Sequence, residues 1–410
     1  KVFDIHFLTR FILNNDRKSP ENPYLCGKLI LMGMKKVFLF SIFLLCGLFF
    51  SQILPSALGS AYGTLASISK WLMFICLAFI MINVGREFEL DKVKWRSYTT
   101  DYFIAMATAA VPWLLIACYY IFFLDTGLSW ENNLLISRFA APTSAGILFT
   151  MLAAAGLKKE WIYKKTQVLA IFDDLDTILL MIPLQILMIG FKWQLFVIIL
   201  VVCILLIFGW KRLSSLNLPQ SWRAILLYSV CIVAAFESVY LISKAFMGQD
   251  GAIHIEVLLP AFVLGMVMKT VHNHSQEEER ASSFISYLFM FLVGLSTPIF
   301  IGLETGGDGM PGWGMLIFHV IVVTILSNLG KMFPLFFYRD RKIQERLALS
   351  IGMFTRGEVG AGIIVIAMGY QLGGPALIIS ILSLVLNLVL TGFFVVAVKR
   401  ISQSVYGVKE

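Results

Sequence analysis

Asp173 and Asp174 are adjacent carboxylates inside an otherwise apolar stretch, AIFDDLDTILL over residues 170–180. An ionised carboxylate at the centre of a bilayer costs roughly 2.5–3.5 kcal/mol on insertion scales. Intramembrane acids are rare and mark ion and proton paths. Neighbouring carboxylates repel, so one of the two is expected to hold a proton at neutral pH and to give it up to a cation. Asp173 and Asp174 would then supply the oxygen ligands for that metal ion. Asp176 and Thr177 follow at helical spacing. Thr177, one turn from both acids, is expected to add its hydroxyl to the site, and Asp176 to face another helix.

Three further features share the acids' depth. Lys331 in SNLGKMFP stands eight residues before Arg339, and Asp173 stands eight residues past Lys165. At ~1.5 Å per residue, both lie about 12 Å from the same edge of a ~30 Å hydrocarbon core. A buried ammonium needs a counter-charge, and an aspartate at matching depth supplies one. In AAPTSAG, Pro142 removes a backbone donor and breaks its helix, while Thr143 and Ser144 can cap a restarting one. In MFTRGEVGAG, Arg356-Gly357 interrupts a second apolar run. Exposed carbonyl ends there would favour Arg356, and exposed amide ends Glu358. An Arg356–Glu358 structural pair is the alternative.

The elements that position these residues must be membrane helices. The chain has 410 residues, 59% of them hydrophobic, with a mean hydropathy of +0.83. Soluble domains are nearer 45–50% apolar. Apolar runs of about 20 residues, the length that crosses a bilayer, recur throughout. Twelve spans are expected, at 37–58, 65–84, 102–124, 133–155, 166–189, 194–209, 224–247, 252–268, 283–301, 314–337, 346–369 and 375–398. The fold class is an all-α polytopic membrane protein. Spans 4 and 11 are both broken, and spans 5 and 10 carry the ionisable groups. That pattern predicts inverted repeats with two crossed broken helices, spans 3–5 mirroring spans 10–12.

Lys and Arg gather in the loops after even-numbered spans, for example Lys158, Lys159, Lys164 and Lys165, or Arg339, Arg341 and Lys342. The opposite loops hold only Lys192 and Lys244. Both termini are therefore expected in the cytoplasm. Residues 1–36 form a cytoplasmic N-terminal segment in this scheme, 37–400 the transmembrane domain and 401–410 a short cytoplasmic tail. Val2 to Leu13 could form an interfacial helix, and the run from Met34 has some character of a signal peptide. The net charge of +8 lies in short loops and is not a nucleic-acid footprint. The six cysteines have no metal spacing and read as packing residues. No nucleophile–base or metalloprotease pattern suggests an enzyme.

These residues resemble the monovalent cation/proton antiporter superfamily, the sodium/proton exchangers and their potassium/proton relatives, over nearly all of 37–400. The stretch from Leu77 to Lys94 resembles the family's second span. Asp173-Asp174 is similar to the double-aspartate motif of its electrogenic-type branch, and Arg356-Gly357-Glu358 to its Arg-Gly-Glu signature. The resemblance implies that Asp174 is the main ion- and proton-binding carboxylate and that Asp173 pairs with Lys331. Arg356 and Glu358 would balance charge. Many members carry Thr-Asp at the span 4 break; Thr143-Ser144 stand there here, without a second acid. The family fold implies a core domain of spans 3–5 and 10–12 beside a panel of spans 1–2 and 7–9 that forms a homodimer.

The function expected is antiport of a monovalent cation, sodium or alternatively potassium, against protons by alternating access in the cell membrane. No cofactor is expected beyond the transported ions, and no partner beyond the lipid bilayer and a second copy. A channel-like or sensor protein on the same fold is the competing class. It has no reason to retain Asp173, Asp174 and Lys331. An organic-anion symporter would lack the double acid. His272 and His274, beside Glu277 to Glu279, could serve as a cytoplasmic pH sensor.

Overall fold

The computed structural model describes residues 23–86, 95–124, 127–144, 152, 157, 160–180, 183–184, 193–212, 214–247, 257–269, 276–298, 311–370 and 372–406. Helices dominate because hydrocarbon offers backbone amides no water, so each run must satisfy its own N–H and C=O groups. Among the described residues these are α1 (Pro23–Leu58), α2 (Tyr62–Arg86), α3 (Trp95–Phe122), α4 (Trp130–Ser137), α5 (Trp161–Leu179), α6 (Trp193–Lys211) and α7 (Trp222–Met247). They continue with α8 (Leu258–Val267), α9 (Gln276–Leu295), α10 (Trp313–Gly330), α11 (Ile343–Gly352), α12 (Glu358–Gly369) and α13 (Gly374–Tyr406). Every expected span holds one of them, and span 11 holds two. Among the described residues, six stretches are individually long and apolar enough to cross a membrane: 38–58, 62–86, 98–122, 222–246, 313–336 and 374–402. The chain is a multi-pass membrane protein.

Helix ends refine the expected boundaries. α1 begins at Pro23, so residues 23–36, expected to precede the first span, are helical and continuous with it. The expected arm at 2–13 and the histidines at 272 and 274 lie outside the described residues. α10 was expected to run to 337 but stops at Gly330, with Lys331 as its C-cap, before a 3-10 turn at Phe333–Phe336. Pro334, near the start of that turn, cannot donate an amide and so cannot continue the α-helix. α9 begins with Glu277, Glu278 and Glu279, acids that suit the positive end of a helix dipole.

One set of helices packs through glycine. α1 lies on α9 and α2 on α8, with α7 and α9 also against α2. A methyl group added at Gly294 would sit 2.2 Å from the Leu44 carbonyl oxygen, and one at Gly47 2.0 Å from that of Phe291. Gly85 and Gly265 meet the Phe262 and Ile82 carbonyls in the same way, at 2.1 and 2.0 Å. Lipid tails are as apolar as leucine, so such helices associate by close van der Waals approach, and small residues permit it. Phe43 stacks on Tyr287 alongside, with ring centroids 5.5 Å apart. Gly294→Ala or Gly265→Ala must push two backbones apart, an overpacking cost of about 1–3 kcal/mol. A clear fall in thermal midpoint is expected for each. Gly314→Ala, where nothing lies within 4 Å, serves as the control and should lose nothing.

The remaining helices carry the acids. α3 packs on α4, α5 and α10, and α13 packs on α10, α11, α12 and α1. Gly330 again permits the approach that matters, since a methyl there would lie 2.4 Å from the Pro112 Cα of α3. This contact seats the end of α10, and hence Lys331, deep in the bundle.

Candidate functional site

Two interrupted helices meet end to end. α4 stops at Ser137, tightens into a 3-10 turn at Arg138–Ala140, and continues as irregular chain through Ser144. α11 stops at Gly352, and α12 restarts at Glu358. Pro142 accounts for the first interruption, and extended Gly357 (φ −169°) is the N-cap after the second. The two irregular stretches hold each other through a backbone amide and side-chain donors, all on backbone carbonyls. Ser144 N–H donates to the Thr355 carbonyl at 2.9 Å, and Thr143 Oγ1 to the Met353 carbonyl at 3.2 Å. A methyl at Gly360 would lie 2.9 Å from the Phe139 carbonyl, so Gly360 admits the 3-10 turn.

Broken helices expose carbonyls that intact ones would use, and those ends are electronegative. Two buried cations answer them. Arg356 donates to the Pro142 carbonyl at 3.1 Å, to the Met353 carbonyl at 3.5 Å and to Ser327 Oγ at 2.6 Å. Lys331 donates to the Ala141 carbonyl. The expected preference for Arg356 at carbonyl ends describes this arrangement. The alternative, an Arg356–Glu358 pair, does not: among the described residues Arg356 bonds to carbonyls and a hydroxyl instead. Glu358, half-buried, is the first residue of α12, where an acid faces amide groups.

Lys331 also meets Asp173. Its Nζ lies 2.9 Å from Oδ1 and 2.7 Å from Oδ2, and both side chains are 0% exposed. Helix register explains the meeting: the acid lies midway along α5 and the lysine caps α10. Asp174, the next residue on α5, is buried as well. Thr177, expected to add its hydroxyl to the acids, is buried one turn further along α5. Its hydroxyl donates to the Asp173 carbonyl one turn back, at 2.8 Å, a bond internal to α5. Thr143 and Ser144 are buried at the crossing, but their recorded bonds go to the α11–α12 stretch rather than to a carboxylate.

Asp176 faces away from this pair, toward α3, where Tyr102 hydrogen-bonds it. Beside it lies Arg138, which the sequence reading passed over. Arg138 is fully buried, donates to the Asp176 and Thr177 carbonyls at 3.0 and 2.7 Å, and stacks 4.6 Å over the Trp113 ring. Its signal was available, since an arginine in an apolar run is as costly as an aspartate.

The constellation is one of buried carboxylates on a continuous helix, cations on broken ends, and a backbone crossing between them. It can hold a charge in a dry place and exchange it for another. The family model described as "Sodium/hydrogen exchanger, transmembrane" matches residues 23–400. Among solved structures, that of the sodium proton antiporter MjNhaP1 from Methanocaldococcus jannaschii at pH 8 shares the fold. Its TM-score is 0.56 at 12% identity, covering 90% of this chain and 98% of that one. An electron-microscopy map of the same antiporter gives 0.46 at 15% identity, covering 89% of each chain. No curated protein matches the chain.

Proposed function

The chain belongs to the sodium/hydrogen exchanger family, and from that premise we propose that it exchanges a monovalent cation, sodium in the first instance, for protons at Asp173 and Asp174. The observation that carries this reading is the Lys331–Asp173 ion pair, wholly buried beside a second carboxylate at the crossing of two broken helices. A buried pair is poor value for stability alone. It suits a site whose counter-charge must be released when a cation or proton arrives.

In this reading Asp174 is the shared seat of proton and cation. Asp173 alternates between Lys331 and the incoming charge. Arg356 and Lys331 keep the broken ends neutral while the site changes its load. The two sets of helices described above serve as panel and core, the panel in a homodimer, with both termini in the cytoplasm.

Reconstitution tests this. Proteoliposomes holding a preset pH gradient receive each alkali cation in turn, with and without a potassium–valinomycin clamp. Sodium should dissipate the gradient, and the clamp reads net charge per cycle. If no alkali cation moves protons, the channel-like or sensor class takes its place. A pH prediction accompanies the assay. Only the deprotonated carboxylate binds a cation, so protons compete directly. Apparent cation affinity should weaken about tenfold per unit as pH falls below the site's titration point. An affinity that stays unchanged from about pH 6 to 8.5 would mean separate sites or a carboxylate already fully deprotonated across that range.

A further inference from the structure

Away from the acids, three elements converge on one buried carboxylate. Asp101, near the start of α3, is 4% exposed. Lys165 of α5 donates to it at 2.9 and 2.8 Å, and the Tyr338 hydroxyl, just beyond the 3-10 turn after α10, at 2.7 Å. Tyr338 is not at rest there. Its φ of 50° places an aromatic residue in the left-handed region, which costs energy and persists only where surroundings impose it. The surroundings are visible. Lys165 lies 5.0 Å over its ring and Trp161 packs edge-on at 5.6 Å. Arg341 in turn lies 5.2 Å over Trp161. Burial first, and then the Asp101 charge, raise the Tyr338 phenol above its ordinary range, so it remains a donor.

The two groups held by Asp101 lead directly to the site. Lys165 is eight residues along α5 from Asp173, and Tyr338 seven residues beyond Lys331. One carboxylate therefore ties the helix of the buried acid to the segment that follows the buried lysine. We propose that Asp101 is a positioning residue which, by holding Lys165 and Tyr338 together, sets the spacing of α5 against the end of α10 and so the strength of the Lys331–Asp173 pair. Its transport consequence rests on the exchange reading above; its structural one does not.

The consequence has a sign. If the Lys331–Asp173 pair competes with the cation, loosening the clamp weakens the competitor. Asp101→Asn keeps the volume and an acceptor for Tyr338 but drops the charge that holds Lys165. Lys165 is 21% exposed and can turn outward, so the variant should fold. Cation KM should fall severalfold while kcat also falls, the pattern of a removed ground-state interaction. A merely structural role would lower the amount of folded protein and leave KM alone.

The test pairs that kinetic readout with a thermal double-mutant cycle on the full chain. Asp101→Asn, Lys331→Ala and their combination are melted in detergent. If the clamp sets the pair, Lys331→Ala lowers the midpoint less in the Asp101→Asn background than alone. Lys165→Gln replaces Asp101→Asn if the latter fails to fold. Additive losses, or an unchanged KM in a variant that exchanges, overturn the assignment. Should the unaltered protein exchange nothing, the melting cycle still decides the clamp.

Discussion

Asp174→Asn is expected to reduce cation-coupled proton movement to the level of protein-free liposomes while the protein stays folded. The substitution keeps the shape of the side chain and removes its capacity to carry either a proton or a negative charge. Asp174 is 1% exposed and follows Asp173, whose own oxygens already receive Lys331. In the exchange reading proposed above, it is the acid that takes up the transported ion. Loss of a buried negative charge should not unfold the protein, since neutral amides cost less to bury than carboxylates. Exchange measured against an imposed sodium gradient, with the thermal midpoint recorded on the same preparation, gives both readings. A folded variant that exchanges at full rate would move the site elsewhere.

Lys331→Ala is the second large effect, and it falls on stability. The lysine donates to both oxygens of Asp173 and to the carbonyl of Ala141. Its removal leaves a carboxylate buried without its cation and a broken helix end without its donor. Removing one partner of a buried pair costs roughly 3–5 kcal/mol. The double change Asp173→Asn/Lys331→Ala removes the orphaned charge and should cost less than Lys331→Ala alone. Denaturant or thermal unfolding of the two single variants and the double completes the cycle. Simple additivity would mean that the two side chains, though 2.7 Å apart, do not support each other.

The ion pair was legible in the sequence because a helix converts residue number into depth. Asp173 and Lys331 stand equally far from charged loop residues, and depth matching is enough to pair them. The breaks at Pro142 and Gly357 were legible for the same kind of local reason. What could not be read was lateral. Arg138 sits in LISRFAAP, within the apolar run of the fourth span. Nothing in that string says that Asp176 and Trp113 come to meet it. Lys165 counts among the loop charges, nothing in the sequence pairs it with Asp101, and their bond spans 64 residues of sequence. The Thr177 hydroxyl was expected at the acids, and the bond it makes, to an acceptor one turn back in its own helix, is local to α5. Gly47, Gly85, Gly265 and Gly294, on α1, α2, α8 and α9, are small residues in apolar runs. Only the packed structure shows that a neighbour's carbonyl occupies the place of each missing Cβ.

At the crossing Ser144 takes part through its main chain: its amide donates to the Thr355 carbonyl, and its own carbonyl accepts from Thr355 Oγ1 at 3.5 Å. Amides and carbonyls belong to every residue type. Evolution is therefore free to rewrite the side chain at position 144 without dismantling the frame that presents it. An acid, an alcohol or a methyl group could stand there in turn while the scaffold persists. In the exchange reading proposed above, ion preference would be a variable written in one or two side chains, whereas the crossing is closer to a constant.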